Sequence, residues 1–127
     1  ELAVRRGTAV TATDGAEQAV DACFDLVAAP GGDFSLGFDG GLTLAYSDAD
    51  RTCCLTFTDA AMSGGRTSRC VVLDAPCRRL RVVGDASSLE IFLNDGAAVL
   101  STRYYPAGGQ VTLRPANFTA AVYPLNL

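Results

Sequence analysis

Apolar residues recur at every second position in short runs along this chain, and Gly, Asp, Ser and Pro separate the runs. Phe34 to Phe38 (FSLGF) alternates cleanly and is closed by Asp39-Gly40-Gly41. The next run, Leu42 to Tyr46 (LTLAY), is therefore expected to return beside it as a hairpin. Val20 to Ala28 (VDACFDLVA) alternates imperfectly and reads as one strand, while Ser47 to Asp50 (SDAD) turns the chain into Cys53 to Phe57 (CCLTF). An irregular loop follows over 60–68, and then come RCVVLD, RRLRVVGD, SSLEIFLN, AVLSTRYY, QVTLRP and FTAAVYPL. About nine or ten short strands at spacings of roughly eight to twelve residues point to an all-β sandwich or barrel. No window sustains the i, i+3, i+4, i+7 spacing of an amphipathic helix for long. The expected fold class is all-β: one domain over 1–127, a two-sheet antiparallel β-sandwich with little or no helix.

The segment Gly84 to Pro106 (GDASSLEIFLNDGAAVLSTRYYP) gives the sharpest local reading. With Asp95-Gly96 as the centre of a type I′ turn, where both central residues take positive φ, Asn94 faces Ala97, Phe92 faces Val99 and Glu90 faces Ser101. Leu89, Ile91 and Leu93 then share a core face with Ala98 and Leu100. Glu90 and Phe92 lie on the opposite face, with Arg103 diagonal to Glu90 and within reach of an ion pair. Asp85 is placed to cap the turn through its side chain.

Composition narrows the function. Apolar residues make up 49% of the 127 residues and charged residues only 19%, below the roughly 25% of ordinary chains. The excess belongs in a core or in a contact surface, since no apolar run is long enough to cross a membrane as a helix. The net charge is −4, with no Lys and with the arginines scattered apart from Arg78, Arg79 and Arg81. No basic stripe suits a phosphate backbone, so nucleic acid is not an expected partner. There is no His, which removes Ser-His-Asp triads, Cys-His pairs and mixed Cys/His zinc sites. The five cysteines, Cys23, Cys53, Cys54, Cys70 and Cys77, are odd in number and lack CxxC spacing. They read as reduced structural thiols of a bacterial cytoplasmic protein, with neither metal nor cofactor expected.

Catalysis within the hairpin fails on geometry. A glycosidase needs two carboxyls about 5–9 Å apart, whereas Asp85 and Glu90 are separated by about 16 Å of extended strand and point to opposite faces. Asp33, Asp39, Asp48, Asp50 and Asp59 are loop acids that could converge into a site, and they are also the residues β-turns ordinarily use.

Asp85-x-Ser-Ser-Leu-Glu-Ile-Phe-Leu-Asn-Asp-Gly96, followed by Val-Leu-Ser-Thr-Arg-Tyr-Tyr-Pro from Val99 to Pro106, resembles the C-terminal β-sandwich of glycoside hydrolase family 32. Family members often carry Arg after the first Asp of this motif, where this chain has Ala86, and any contact made by that Arg is not carried over. The resemblance implies a two-domain parent in which a five-bladed propeller hydrolyses β-fructofuranosidic bonds. The family's Asn-Asp-Pro, Arg-Asp-Pro and Glu-Cys motifs belong to that propeller and none occurs here, so no residue of this chain is expected to be catalytic. Asp85, Ser87, Ser88, Glu90, Phe92, Asn94, Asp95, Gly96 and Arg103 are expected to form a structural unit.

What the resemblance implies is a C-terminal module that packs on the propeller, stabilises it and can mediate self-association. The alternative is a carbohydrate-binding module taking a fructan or sucrose weakly. Tyr104 and Tyr105 are its candidate sugar or interface contacts, and as strand neighbours they point to opposite faces.

Overall fold

The computed structural model describes residues 5–6, 8–39, 41–57, 68–85, 87–104 and 109–126. They form thirteen strands: β1 (Arg5–Arg6), β2 (Val10–Ala12), β3 (Gln18–Asp21), β4 (Phe24–Ala28), β5 (Phe34–Phe38), β6 (Leu42–Ser47), β7 (Thr52–Phe57), β8 (Ser68–Val72), β9 (Leu80–Gly84), β10 (Ser88–Leu93), β11 (Ala98–Arg103), β12 (Gln110–Ala116) and β13 (Ala120–Asn126). Every pairing is antiparallel. One sheet runs β1-β13-β4-β9-β10-β11, with β2 also on β13, and the other runs β3-β12-β5-β6-β7-β8. The all-β two-sheet reading holds, with more strands than the nine or ten read from the pattern.

The extra strands come from the first thirty residues. Val20 to Ala28 is not one strand: β3 lies in the six-stranded sheet on β12, and β4 in the seven-stranded sheet between β13 and β9. The imperfect alternation around Ala22 and Cys23 marks the point where the chain crosses between layers, so the side-chain phase restarts.

Between the sheets lies one core. Phe34, Leu36 and Phe38 of β5 face inward beside Leu42, Leu44 and Tyr46 of β6 and Cys53, Leu55 and Phe57 of β7. Opposite them stand Phe24 and Leu26, Leu80 and Val82, and Leu89, Ile91 and Leu93. Each fully buried aliphatic side chain contributes about 1.5–3 kcal/mol relative to exposure, so the period-two pattern and the fold reinforce one another. Gly84 ends β9 where the Phe24 ring and the Ala22 carbonyl approach so closely that a Cβ would collide with both.

The cysteine reading needs correction. Cys54 of β7 and Cys70 of β8 are register partners and form a disulfide, with Cα atoms 4.1 Å apart. Cys23, Cys53 and Cys77 are free, the last two buried in the core. Cys54 points outward rather than into the core, which is why its partner can reach it from an edge strand. Burial pushes the Cys53 thiol up to about 12 and also raises that of Cys77.

Candidate interaction surface

The hairpin keeps the register read from its residues: Ser88 opposite Arg103, Glu90 opposite Ser101, Phe92 opposite Val99 and Leu93 opposite Ala98. At its tip Asp95 and Gly96 have φ of 61° and 95°, and the Ala97 N–H donates to the Asn94 carbonyl at 3.3 Å. At its base the Asp85 carboxylate accepts from the Ser87 and Ser88 N–H groups at 2.7 and 2.9 Å. These donors, that of Ser87 foremost, hold its pKa below the usual carboxylate value. Ala86 lies outside the described residues.

Asn94 does more than flank the turn. With φ of 51°, its Oδ1 accepts from the Arg78 and Arg79 N–H groups at 2.9 and 3.2 Å, and its Nδ2 donates to the Pro76 carbonyl at 2.9 Å. The segment Pro76–Arg79, which crosses from the six-stranded to the seven-stranded sheet, is thereby fastened to the hairpin tip. Asp95 adds an exposed ion pair to Arg79 at 3.3 Å.

Two rows cross the middle of the outward face of the seven-stranded sheet. Register aligns Ala121, Val27, Arg81, Phe92 and Val99 in one row, and Tyr123, Asp25, Val83, Glu90 and Ser101 in the next. Its most unusual member is Asp25, whose side chain is only 3% exposed although it points away from the core. Arg81 covers it with a two-pronged contact, Nε to Oδ1 at 2.9 Å and Nη2 to Oδ2 at 3.0 Å. The Arg81 guanidinium stands 6.0 Å from the centre of the Phe92 ring, and the hydrogen bond to Asp25 raises its pKa above the usual value. Arg81 Nη1 has no partner among the described residues. Val27, Arg79, Arg81, Phe92 and Asp95 border a shallow depression of about 470 Å³ at the hairpin end of this face.

Glu90 and Arg103 share that face, as the register reading required, but among the described residues no ion pair joins the two. Both are exposed. The burial that would force the carboxylate to find a cation is absent, so the expected pairing is corrected.

Two further polar clusters join loops to strands. The Tyr46 hydroxyl donates to Asp48 at 2.9 Å and accepts from the Cys77 N–H at 2.9 Å, while Arg78 donates to both Asp48 oxygens at 3.1 and 3.3 Å. Arg78 first and Tyr46 second hold the Asp48 pKa below the usual value. Asp33 accepts from the Asp48 N–H at 2.6 Å. At the other cluster Asp39 accepts from the Thr112 N–H at 2.8 Å and from Arg114 at 3.2 Å.

Tyr104 is corrected as a surface contact. It is 1% exposed, packs edge-to-face on Phe38 and donates its hydroxyl to the Asp39 carbonyl at 2.8 Å. Burial pushes its pKa up to about 12. Tyr105 lies outside the described residues, as does Asp59. The loop acids serve turns and arginines, and among the described residues no three His, Cys, Asp or Glu side chains gather where they could hold a metal ion.

Comparison with known proteins places this surface in context. A family model described as the C-terminal domain of glycosyl hydrolases family 32 matches residues 12–123. A stretch of 36 residues is 58% identical to a sucrose-6-phosphate hydrolase of Salmonella typhimurium, covering 28% of this chain and 8% of that protein. A sucrose-6-phosphate hydrolase structure from Lactobacillus gasseri superposes on 95% of this chain with a TM-score of 0.71 at 17% identity. A glycoside hydrolase family 32 structure from Bifidobacterium adolescentis does so on 95% with a TM-score of 0.73 at 18% identity. At such identities the superpositions speak for the fold alone. This chain covers 28% and 22% of those two structures.

Proposed function

Because the chain belongs to the family of glycosyl hydrolase family 32 C-terminal domains, we propose that it is the non-catalytic, C-terminal β-sandwich module of a bacterial β-fructofuranosidase that cleaves sucrose or sucrose 6-phosphate. Its role is to pack on the catalytic propeller and stabilise it, and contacts between copies are a further use of the same surfaces. The observation that carries this reading is the coverage: most of each of the two family 32 structures lies outside the part that this chain matches. A module of this kind keeps its polar groups for construction, and Asp85, Asn94, Asp48 and Asp39 all bind backbone or arginine.

The carbohydrate-binding alternative draws little from the described residues. Tyr46 and Tyr104 are buried, leaving only the partly exposed Phe92 and Tyr123 to offer ring faces.

The reading is tested by sequencing the gene upstream of Glu1 and assaying the purified chain on sucrose, sucrose 6-phosphate and inulin. A propeller-sized frame with an Asn-Asp-Pro motif, and no turnover by the chain alone, are the expected results. A start codon close to Glu1, or turnover by the pure chain, overturns it.

A further inference from the structure

β8 is the last strand of the six-stranded sheet, with β7 on one side and, among the described residues, no strand on the other. It has little hold on the core. Val71 alone is partly buried there, while Ser68, Arg69, Cys70 and Val72 are exposed, Val72 to 68%. The strand is kept in place by its ladder to β7, by a hydrogen bond from Arg69 Nη1 to the Ser101 carbonyl of β11, and by the Cys54–Cys70 bond. We propose that this disulfide is a reducible clasp: a dithiol opens it in the folded protein and frees β8 to leave the sheet, while the rest of the sandwich stays intact. The proposal stands independently of the function proposed above.

Three observations carry it. First, register puts Cys54 and Cys70 on the outward face with Thr52, Thr56, Ser68 and Val72. Cys70 is exposed, and Cys54 borders a shallow depression of about 390 Å³ with Ser47, Asp50 and Thr52. A reductant therefore reaches the bond without entering the core. Second, the bond ties residues 16 positions apart, and a cross-link over such a loop disfavours the opened chain by about a hundredfold. An edge strand with one half-buried side chain has little to replace that restraint. Third, Cys53 beside Cys54 points into the core, where burial pushes its thiol up to about 12. It stays protonated and does not compete as a nucleophile, so reoxidation restores the same pair.

The chemistry is a two-electron exchange. A thiolate of the dithiol attacks the exposed Sγ of Cys70, forming a mixed disulfide and releasing the Cys54 thiolate. The second thiolate of the reagent then attacks the reagent's own sulfur, closing its disulfide and releasing Cys70. The two protons of the dithiol end on Cys54 and Cys70. β8 is thus fastened in an oxidising compartment and loose in a reducing one.

The test is amide hydrogen exchange, read by peptide mass on the full-length product of the gene, with and without dithiothreitol and no denaturant. Thiol labelling of the same samples is expected to gain Cys54 and Cys70 on reduction. Amides of 68–72 are then expected to exchange at least tenfold faster, those of β5 and β10 to keep their rates, and reoxidation to restore β8. A Cys54→Ser, Cys70→Ser double variant should show the reduced pattern without reductant and ignore dithiothreitol. The proposal is overturned if the pair resists reduction until denaturant is added, or if β8 exchanges alike in both states. Loosening of β5 and β10 together with β8, or a double variant that does not fold, overturns it as well, since the bond would then hold the whole sandwich.

Discussion

Replacing Asn94 separates two contributions that meet at one residue. Its side chain makes three hydrogen bonds to the segment Pro76–Arg79, and its backbone sits at φ of 51°. At a partly exposed site each hydrogen bond contributes about 0.5 kcal/mol. Alanine at a left-handed φ costs about 1.5 kcal/mol more, whereas glycine avoids that strain and loses about 0.5 kcal/mol through the freer unfolded chain. Asn94→Gly is therefore expected to lose about 2 kcal/mol and Asn94→Ala about 3 kcal/mol. For a chain of this size that is roughly 8 and 12 °C in melting temperature. Urea titrations followed by far-ultraviolet circular dichroism read both values, provided the m-value is unchanged. Equal losses in the two variants refute the backbone contribution. Losses below about 0.5 kcal/mol in both, within the range of ordinary surface substitutions, refute the idea that Asn94 fastens the crossing segment to the hairpin.

Thiol titration of the native protein should find one reactive group, Cys23; unfolding should raise the count to three and reduction to five. Five thiols without reduction remove the Cys54–Cys70 bond. Asp48 and Asp85 titrate below the usual carboxylate value, mainly through Arg78 and the Ser87 N–H respectively. With folded pKa values below unfolded ones, their stabilisation is full above the unfolded value and is lost as pH falls through the folded one. Stability should thus decline below about pH 5, and an Asp48→Asn, Asp85→Asn double variant should show a shallower acid limb; an unaltered limb contradicts this. Gly84→Ala drives a Cβ to 2.9 Å from the Ala22 carbonyl and into the Phe24 ring. It is expected to cost about 2 kcal/mol by overpacking, and chemical denaturation at wild-type midpoint refutes the close approach.

The hairpin Ser88–Arg103 was legible because two local signals agree there, period-two alternation on both arms and an Asp-Gly centre, although Asn94 beside it left a longer turn with a shifted register open. The break between β3 and β4 was not, since Ala22 and Cys23 are compatible with one continuous strand and only the layer each half joins tells them apart. The disulfide depends on β8 returning beside β7 in one particular register, across a connection whose sequence fixes neither. Asp25 carries no local mark of burial. Its exposure is decided by Arg81, more than fifty positions away, so only the sheet order brings the pair together. Tyr104 falls by alternation on the face of Ala98 and Leu100, already read as core, so its burial against Phe38 was legible from the hairpin's own register.

The sheet order also has a consequence in time. Among the described residues β1 and β2 pair with β13, and β3 pairs with β12. These three strands thus find their partners in β12 and β13, about 90 to 120 positions later. At typical synthesis rates that is a delay of about 5–20 s per molecule. During that interval Val20 and its neighbours have no ladder to join, and β4 lacks one of its two flanking strands. A ribosome that stalls after β11 holds a chain whose opening segment is still waiting, so the final hairpin, β12 to β13, acts as the latch of the whole sandwich.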